Sequence, residues 1–409
     1  MPASGIEETK AQVEPTRAPA RVSSAAASMF PRKLTPAGSA HLDLVRAVAA
    51  WAVMWGHARS NFFVDFQHIA HRNLALQALY FVTGFGHQAV MVFFVLSGFL
   101  ISSSVTHGYV SGRWSWREYA INRSSRLYVV LIPGLLLGLL WDKLGIALFS
   151  ATGLYSHPLE AFGGTIAQSQ IGVGTFIGNL FFLQTIVCPT FGSNGPLWSL
   201  ANEFWYYVLF PVVLFAGISW MKRALPRALA LSLLGACLAA FLGRDKLIGF
   251  VIWLAGFGLV LAYSKFQVTS NRWVALYLTV TSIALVGCLV AARLHGPAVL
   301  GSDLAVGIAC AFFLLGVLHV NIGTQNDLYR RAAHFFAAFS YSLYVLHFPF
   351  LLFLRAWILP PGRWQPDLQH VCFGAVLGAA TLAFACGVST FTENRTGAVR
   401  QWVHSVATK

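Results

Sequence analysis

The sequence predicts an all-α integral membrane protein of about ten transmembrane helices, with one re-entrant segment near 173–187. Three observations carry that prediction. Of the 409 residues, 57% are hydrophobic and only 10% charged, against roughly 45–50% and 25% in soluble domains. Apolar runs close to the ~20 residues that cross a ~30 Å hydrocarbon core recur from about residue 40 onward. Between them, most of the 28 lysines and arginines gather on alternate connections, as cytoplasmic loops do.

Residues 1–40 are rich in Pro, Ser and Ala, show no sustained apolar period, and are expected to form a disordered cytoplasmic tail. They lack the apolar core and small-residue cleavage site of a secretory signal, so the first hydrophobic helix is expected to stay in the protein. Their basic residues, and the formal net charge of +14, fit an orientation signal rather than nucleic-acid binding. The membrane bundle is expected over 41–395, with spans near 43–62, 80–104, 127–149, 197–217, 224–243, 246–263, 273–293, 302–320, 334–355 and 371–391. A short cytoplasmic tail is expected over 396–409.

The run VGTFIGNLFFLQTIV at 173–187 is too short for a full helical crossing. If it does not span, Lys222, Arg223 and Arg227, then Lys265 and Arg272, then Arg330 and Arg331, all fall on the side of the N-terminal basic residues. Both termini are then cytoplasmic. The six cysteines stand singly, mostly inside apolar runs, with no zinc-like spacing. No metal site and no bound cofactor is expected.

Ionisable groups in lipid-depth helices are costly and mark candidate functional sites. In LDLVRAVAAWAVMWGH, Arg46 and His57 are 11 residues apart, which returns to within about 20° of one helix face and advances about 16 Å. Asp43 sits three residues before Arg46, the spacing of a pair. His57 titrates near neutrality in its ordinary form and suits proton transfer; the bland alternative is a snorkelling arginine and a capping histidine. In REYAINRSSRLY, Arg123 and Arg126 share one side of a helix start, where two guanidinium forks grip phosphate oxygens. Anionic lipid headgroups are the competing ligand for the same pair.

Glu203 lies in the aromatic segment GPLWSLANEFWYYVLFP, with Trp198 five residues before it and Ser199 four before it; Ser199 is therefore on nearly the same face as Glu203. His347 lies deep in FSYSLYVLHFPF beside the hydroxyls of Ser340, Tyr341, Ser342 and Tyr344; a satisfied interhelical hydrogen bond is its plain alternative. His87 is a weaker candidate near the outer end of its span. No nucleophile elbow, HExxH, phosphate loop or GxGxxG is present.

Taken together and in this order, LDLVRAVAAWAVMWGH, VFFVLSGFLIS, NRSSRLY, LWSLANEFWYY and SYSLYVLHFP resemble the acyltransferase-3 family of integral-membrane acyltransferases over roughly residues 40–395. Two departures stand out. Val129 replaces the proline that often follows the family's Arg-Leu-Tyr, and Met91 replaces an acidic residue before the paired phenylalanines, which argues against a catalytic carboxylate there. The chain is expected to correspond to the family's stand-alone form, without a soluble hydrolase-like domain after the bundle.

The resemblance implies an acyl-CoA donor, acetyl-CoA by default, and a hydroxyl acceptor on a carbohydrate or lipid-linked glycan, in the bacterial inner membrane. The expected partners are thus acyl-CoA, the glycan and membrane lipids, with no nucleic acid. Arg46, Arg123 and Arg126 are expected to bind the donor; His57, Glu203 and His347 to form the catalytic set; and Asp43, Trp198, Ser199 and Tyr341 to support them. A multi-pass transporter of a polar or anionic substrate would also place His, Glu and Arg at lipid depth, and that reading stays open beside the enzyme.

Overall fold

The protein is described by a computed structural model over residues 34–157, 166–266, 270–295, 300–320, 327–359 and 362–407. The described residues are helical with turns, and their β pairing is confined to two isolated bridges, Phe63 with Trp364 and Gln184 with Cys188. Helix α1 (Pro36–Phe62) opens where Thr35 accepts the Gly38 N–H at 3.0 Å and Pro36 occupies the first turn, where its missing N–H has no helical partner to lose. The first helix thus starts inside the expected tail, whose residues 1–33 lie outside the described ones.

The expected span 80–104 divides into α2 (Leu74–Val82), capped by Asn73, and α3 (Gly86–Val110). Helix α4 (Trp116–Phe149) starts well before residue 127, because Ser115 caps Glu118 and the Arg-rich stretch simply continues the helix. The segment read as re-entrant forms only the eight-residue α5 (Val173–Leu180). Phe182 and Thr185 then take positive φ of 56° and 62°, and the chain turns back instead of crossing. Asn179 holds this turn: its amide donates to the Thr175 and Pro189 carbonyls at 2.9 Å each and accepts the Phe191 N–H at 3.0 Å.

Helix α6 (Leu197–Met221) is followed by α7 (Leu225–Lys265), 41 residues and about 60 Å of helix, twice the hydrocarbon thickness. It reverses at Gly243, whose φ of 74° and ψ of 171° lie outside the helical region. Its first half pairs antiparallel to α6, with Trp220 on Ser232 and Val212 against Gly235; its second half runs parallel, Tyr206 meeting Gly249 and Phe210 meeting Trp253 and then Phe257. Two segments result, matching the separate expected spans 224–243 and 246–263.

Helices α8 (Asn271–His295) and α9 (Leu300–Leu318) follow. The expected span 334–355 divides at Phe339 into α10 (Asp327–Ala338) and α11 (Ser340–Ile358). The break has a cause: Glu393 accepts both the N–H and the hydroxyl of Ser342, at 2.9 and 3.0 Å, and so caps the start of α11. Helix α12 (Leu368–Ser389) is capped by Asp367. The expected C-terminal tail is instead α13 (Thr396–Ala407), which packs on α4 with His404 3.4 Å from Glu118; residues 408–409 lie outside the described ones.

Eight helices among the described residues are long and apolar enough to cross a membrane, with Leu225–Lys265 taken as one and the more polar α1 not among them. The protein is a multi-pass membrane protein. Helix α1 is central, packed against α3, α10 and α11, while α3 also packs on α7 and α9, and α4 on α11. Residues predicted from distant segments therefore meet between α1, α3, α6 and α11.

Candidate functional site

His57 of α1 and His347 of α11 meet in the middle of the bundle. Nδ1 of His57 lies 2.7 Å from Nε2 of His347, the two ring planes are within 6° of parallel, and His347 is fully buried. The other nitrogen of His347, Nδ1, lies 2.9 Å from the Leu343 carbonyl one turn earlier. A carbonyl only accepts, so His347 Nδ1 carries hydrogen; in the neutral pair its Nε2 then accepts, and His57 must donate from Nδ1. The lone pair of His57 is thereby assigned to Nε2. One backbone carbonyl thus sets the tautomer of both rings.

On the Arg46 side lies a cavity of about 80 Å³ whose lining includes Arg46, Arg126, Ser199, Glu203, Tyr341 and Tyr344. Arg46 and Arg126 repel each other across it, offset in part by Asp43, which holds Arg46 at 2.9 Å, and by Glu393. Glu203 accepts from Tyr207, at the end of a chain in which Trp253 Nε1 donates to Ser97 Oγ at 3.2 Å and Ser97 to the Tyr207 hydroxyl at 3.2 Å. An indole N–H only donates, so the chain runs one way and ends on the carboxylate. Ser199 Oγ and the Tyr344 hydroxyl share a 2.5 Å bond below the Pro196 carbonyl, and the Tyr341 hydroxyl donates to Leu127 O at 3.2 Å.

Tyr344 also lines a second cavity, of about 230 Å³, together with His57, His87 and Trp198. A third, of about 280 Å³, shares His57 and His87 and adds Arg59 and Arg293. The three cavities thus follow one another through the bundle past His57. Trp198 stacks on His87, ring centroids 6.4 Å apart, and His87 Nε2 is 2.8 Å from Asp303 of α9. Met91 is buried in the bundle core.

The structure brings together Asp43, Arg46, Arg126, Ser199, Glu203 and Tyr341 in the first cavity or against its lining, and His57 and Trp198 in the second, with His347 behind His57. Arg123 stands apart: it is absent from the cavity lining and its guanidinium lies over the Tyr119 ring at 5.9 Å. Two groups of the site were missed from sequence, Glu393, which caps α11, and Asp303, which pairs with His87; Tyr344, one of the hydroxyls noted beside His347, joins two cavities. Only Asp303 carried a signal, as an acid in the first turn of an apolar helix.

The fold and site define a membrane protein built around a histidine pair, His347 buried and His57 facing the cavities, with a cationic cavity on one side and an open polar one on the other. The family described as an acyltransferase domain matches residues 39–390, and the chain belongs to this acyltransferase-3 family. A protein of Bacillus subtilis (strain 168) named "Putative peptidoglycan O-acetyltransferase YrhL" is 26% identical over 296 residues, 65% of this chain and 44% of that protein. The chain thus spans less than half the length of that curated relative. No solved structure shows significant similarity to the chain.

Proposed function

We propose that the protein moves an acyl group, acetyl by default, from acyl-CoA to a hydroxyl of a carbohydrate or glycolipid, from a bacterial inner membrane crossed ten times with both termini in the cytoplasm. The observation that carries the reading is the His57–His347 pair with its tautomer set by Leu343, opening onto a chain of cavities. In this reading Arg46 and Arg126 hold the donor's phosphates at the cytoplasmic mouth, with Arg123 an outlying charge beside them, and the pantetheine arm passes Tyr344 toward His57. The relative's printed name supports a glycan acceptor.

The acceptor oxygen attacks the thioester carbonyl as His57 Nε2 takes its proton. A C–O bond forms, the C–S bond breaks, and the proton is handed to the departing thiolate. While His57 carries the extra proton, its Nδ1–H remains bonded to the His347 lone pair, which spreads the charge over two rings. Glu203, fixed by Tyr207, orients the groups at the cavity wall; Asp43, Trp198, Ser199 and Tyr341 support it.

The test is incubation of membranes with radiolabelled acetyl-CoA and glycan. Label in the glycan for the native chain, lost by about 10²-fold or more in a His57→Ala variant of normal membrane abundance, is expected. Full activity of that variant removes His57 as the base, and uptake of unlabelled substrate without transfer favours a transporter.

A further inference from the structure

The cavity of about 280 Å³ on the far side of His57 from Arg46 holds two arginines that the acyl transfer itself does not use. Arg59 follows His57 on α1. Its guanidinium stands over the Tyr80 ring at 4.8 Å, and its buried Nε has no hydrogen-bond partner. Arg293 comes from the far end of α8 and folds over Gly84; a Cβ there would meet the guanidinium at 2.6 to 2.8 Å and push it aside, so the glycine lets the arginine lie close over the backbone. An arginine that merely snorkelled to the membrane surface would extend away from the bundle. This one turns back over the break between α2 and α3.

The two guanidiniums are close enough to repel each other. Among the described residues neither has a carboxylate at ion-pair distance, because the nearby acids are committed elsewhere. Asp65 takes both arms of Arg363, at 3.1 and 2.6 Å, and Asp303 takes His87. Two cations facing one cavity next to the His57 imidazole, with Arg59 only partly offset by Asp65, are an electrostatic cost that a bound anion lowers.

We propose that this cavity is the acceptor subsite, and that Arg59 and Arg293 bind an oxyanion, carboxylate or phosphate, carried by the acceptor, so that its hydroxyl lies against His57. The proposal rests on the acyl-transfer reading and names its substrate class as acidic rather than neutral glycans. Bidentate capture by two forks fixes orientation as well as position, which is what selection of one hydroxyl among many requires.

The experiment uses the purified full chain with acetyl-CoA and three probes: a uronic-acid disaccharide, the same disaccharide with its carboxyl reduced to an alcohol, and a polyprenyl-phosphate sugar. Transfer and equilibrium binding by calorimetry are both read. The native chain is expected to prefer the acid over its reduced form, or the phosphate over both, which separates the two anion sources. Arg59→Gln and Arg293→Gln are expected to lower that preference at least tenfold, through KM, with Arg293→Lys regaining part of it.

Because the readout is a ratio within one preparation, loss of folded protein does not mimic it. Equal use of all three acceptors by the native chain, or an unmoved preference for the anionic one in the glutamine variants, overturns the subsite. If no probe is acetylated but the anionic one still binds and binding falls in both variants, the subsite stands and the acyl-transfer reading fails.

Discussion

The Asp142 carboxylate, buried in α4, accepts both the backbone N–H and the hydroxyl of Ser193, at 2.8 and 2.7 Å. Ser193 begins the short stretch whose Gly195 and Pro196 line the His57 cavity, and Asn194 ties the same stretch to α11 by donating to Val345 O at 2.8 Å. Asp142→Ala leaves a buried N–H without a partner, at a cost of roughly 1–3 kcal/mol, and is expected to lower the melting temperature in detergent and to reduce transfer. Asp142→Asn keeps one acceptor and should fall between. Native melting in the alanine variant would mean the bond does not hold the wall.

The histidine pair makes a prediction that separates orientation from mere packing. His347→Gln offers an amide in place of the Nε2 acceptor, whereas His347→Phe fills the space and removes it. Activity is expected in the order native, Gln, Phe, with the phenylalanine variant down by about 10² or more and abundance unchanged. Equal activity of the two variants would show that the ring only packs.

Much of this arrangement was legible in sequence where a local period was enough. Asp43 and Arg46 pair at three residues, and Arg46 and His57 share one face of α1 at eleven, because helical geometry alone decides such relations. The contact between His57 and His347 spans 290 positions and follows from packing of α1 on α11, which no local period encodes. Glu393 was likewise invisible, since its role is to cap a helix that begins some 50 residues earlier. Arg59 and Arg293 each resemble helix-end anchors singly; their significance appears only when Gly84 lets one fold toward the other. Arg123 shares a helix side with Arg126 yet is absent from the lining of the cavity that Arg126 enters, because its guanidinium lies over the Tyr119 ring instead.

Asp65 and Arg363 clasp the connection after α1 to the one before α12, beside the bridge of Phe63 and Trp364. The hydrogen bond from Arg363 holds the Asp65 carboxyl below its usual range. A carboxyl lowered on folding adds stability above its unfolded value, about 3.9, and loses it as pH falls through the lower folded value. Melting temperatures of native chain and Asp65→Asn are expected to differ at pH 6 and to converge as pH drops below about 4. The difference is small, because Asp65 is half exposed and its pair is screened by solvent. A gap that widens on acidification would contradict this sign.

Gly243 turns α7 back on itself with φ near 74° and ψ near 171°, a region essentially closed to residues with a Cβ. Nothing lies within 4 Å of the place a Cβ would take, so the effect of a substitution is backbone strain without a clash. Gly243→Ala is expected to cost about 1–3 kcal/mol and to lower the melting temperature in detergent. The strain acts where the second half of α7 begins, and that half carries Trp253 against Ser97 and thus the hydrogen-bond chain to Glu203. Tyr207→Phe, which breaks the chain directly without touching the turn, is therefore expected to reproduce any loss of transfer in Gly243→Ala but less of its instability. If Gly243→Ala melts like the native chain, the reversal is not strained and the two halves of α7 are held by their packing on α3, α6 and α9.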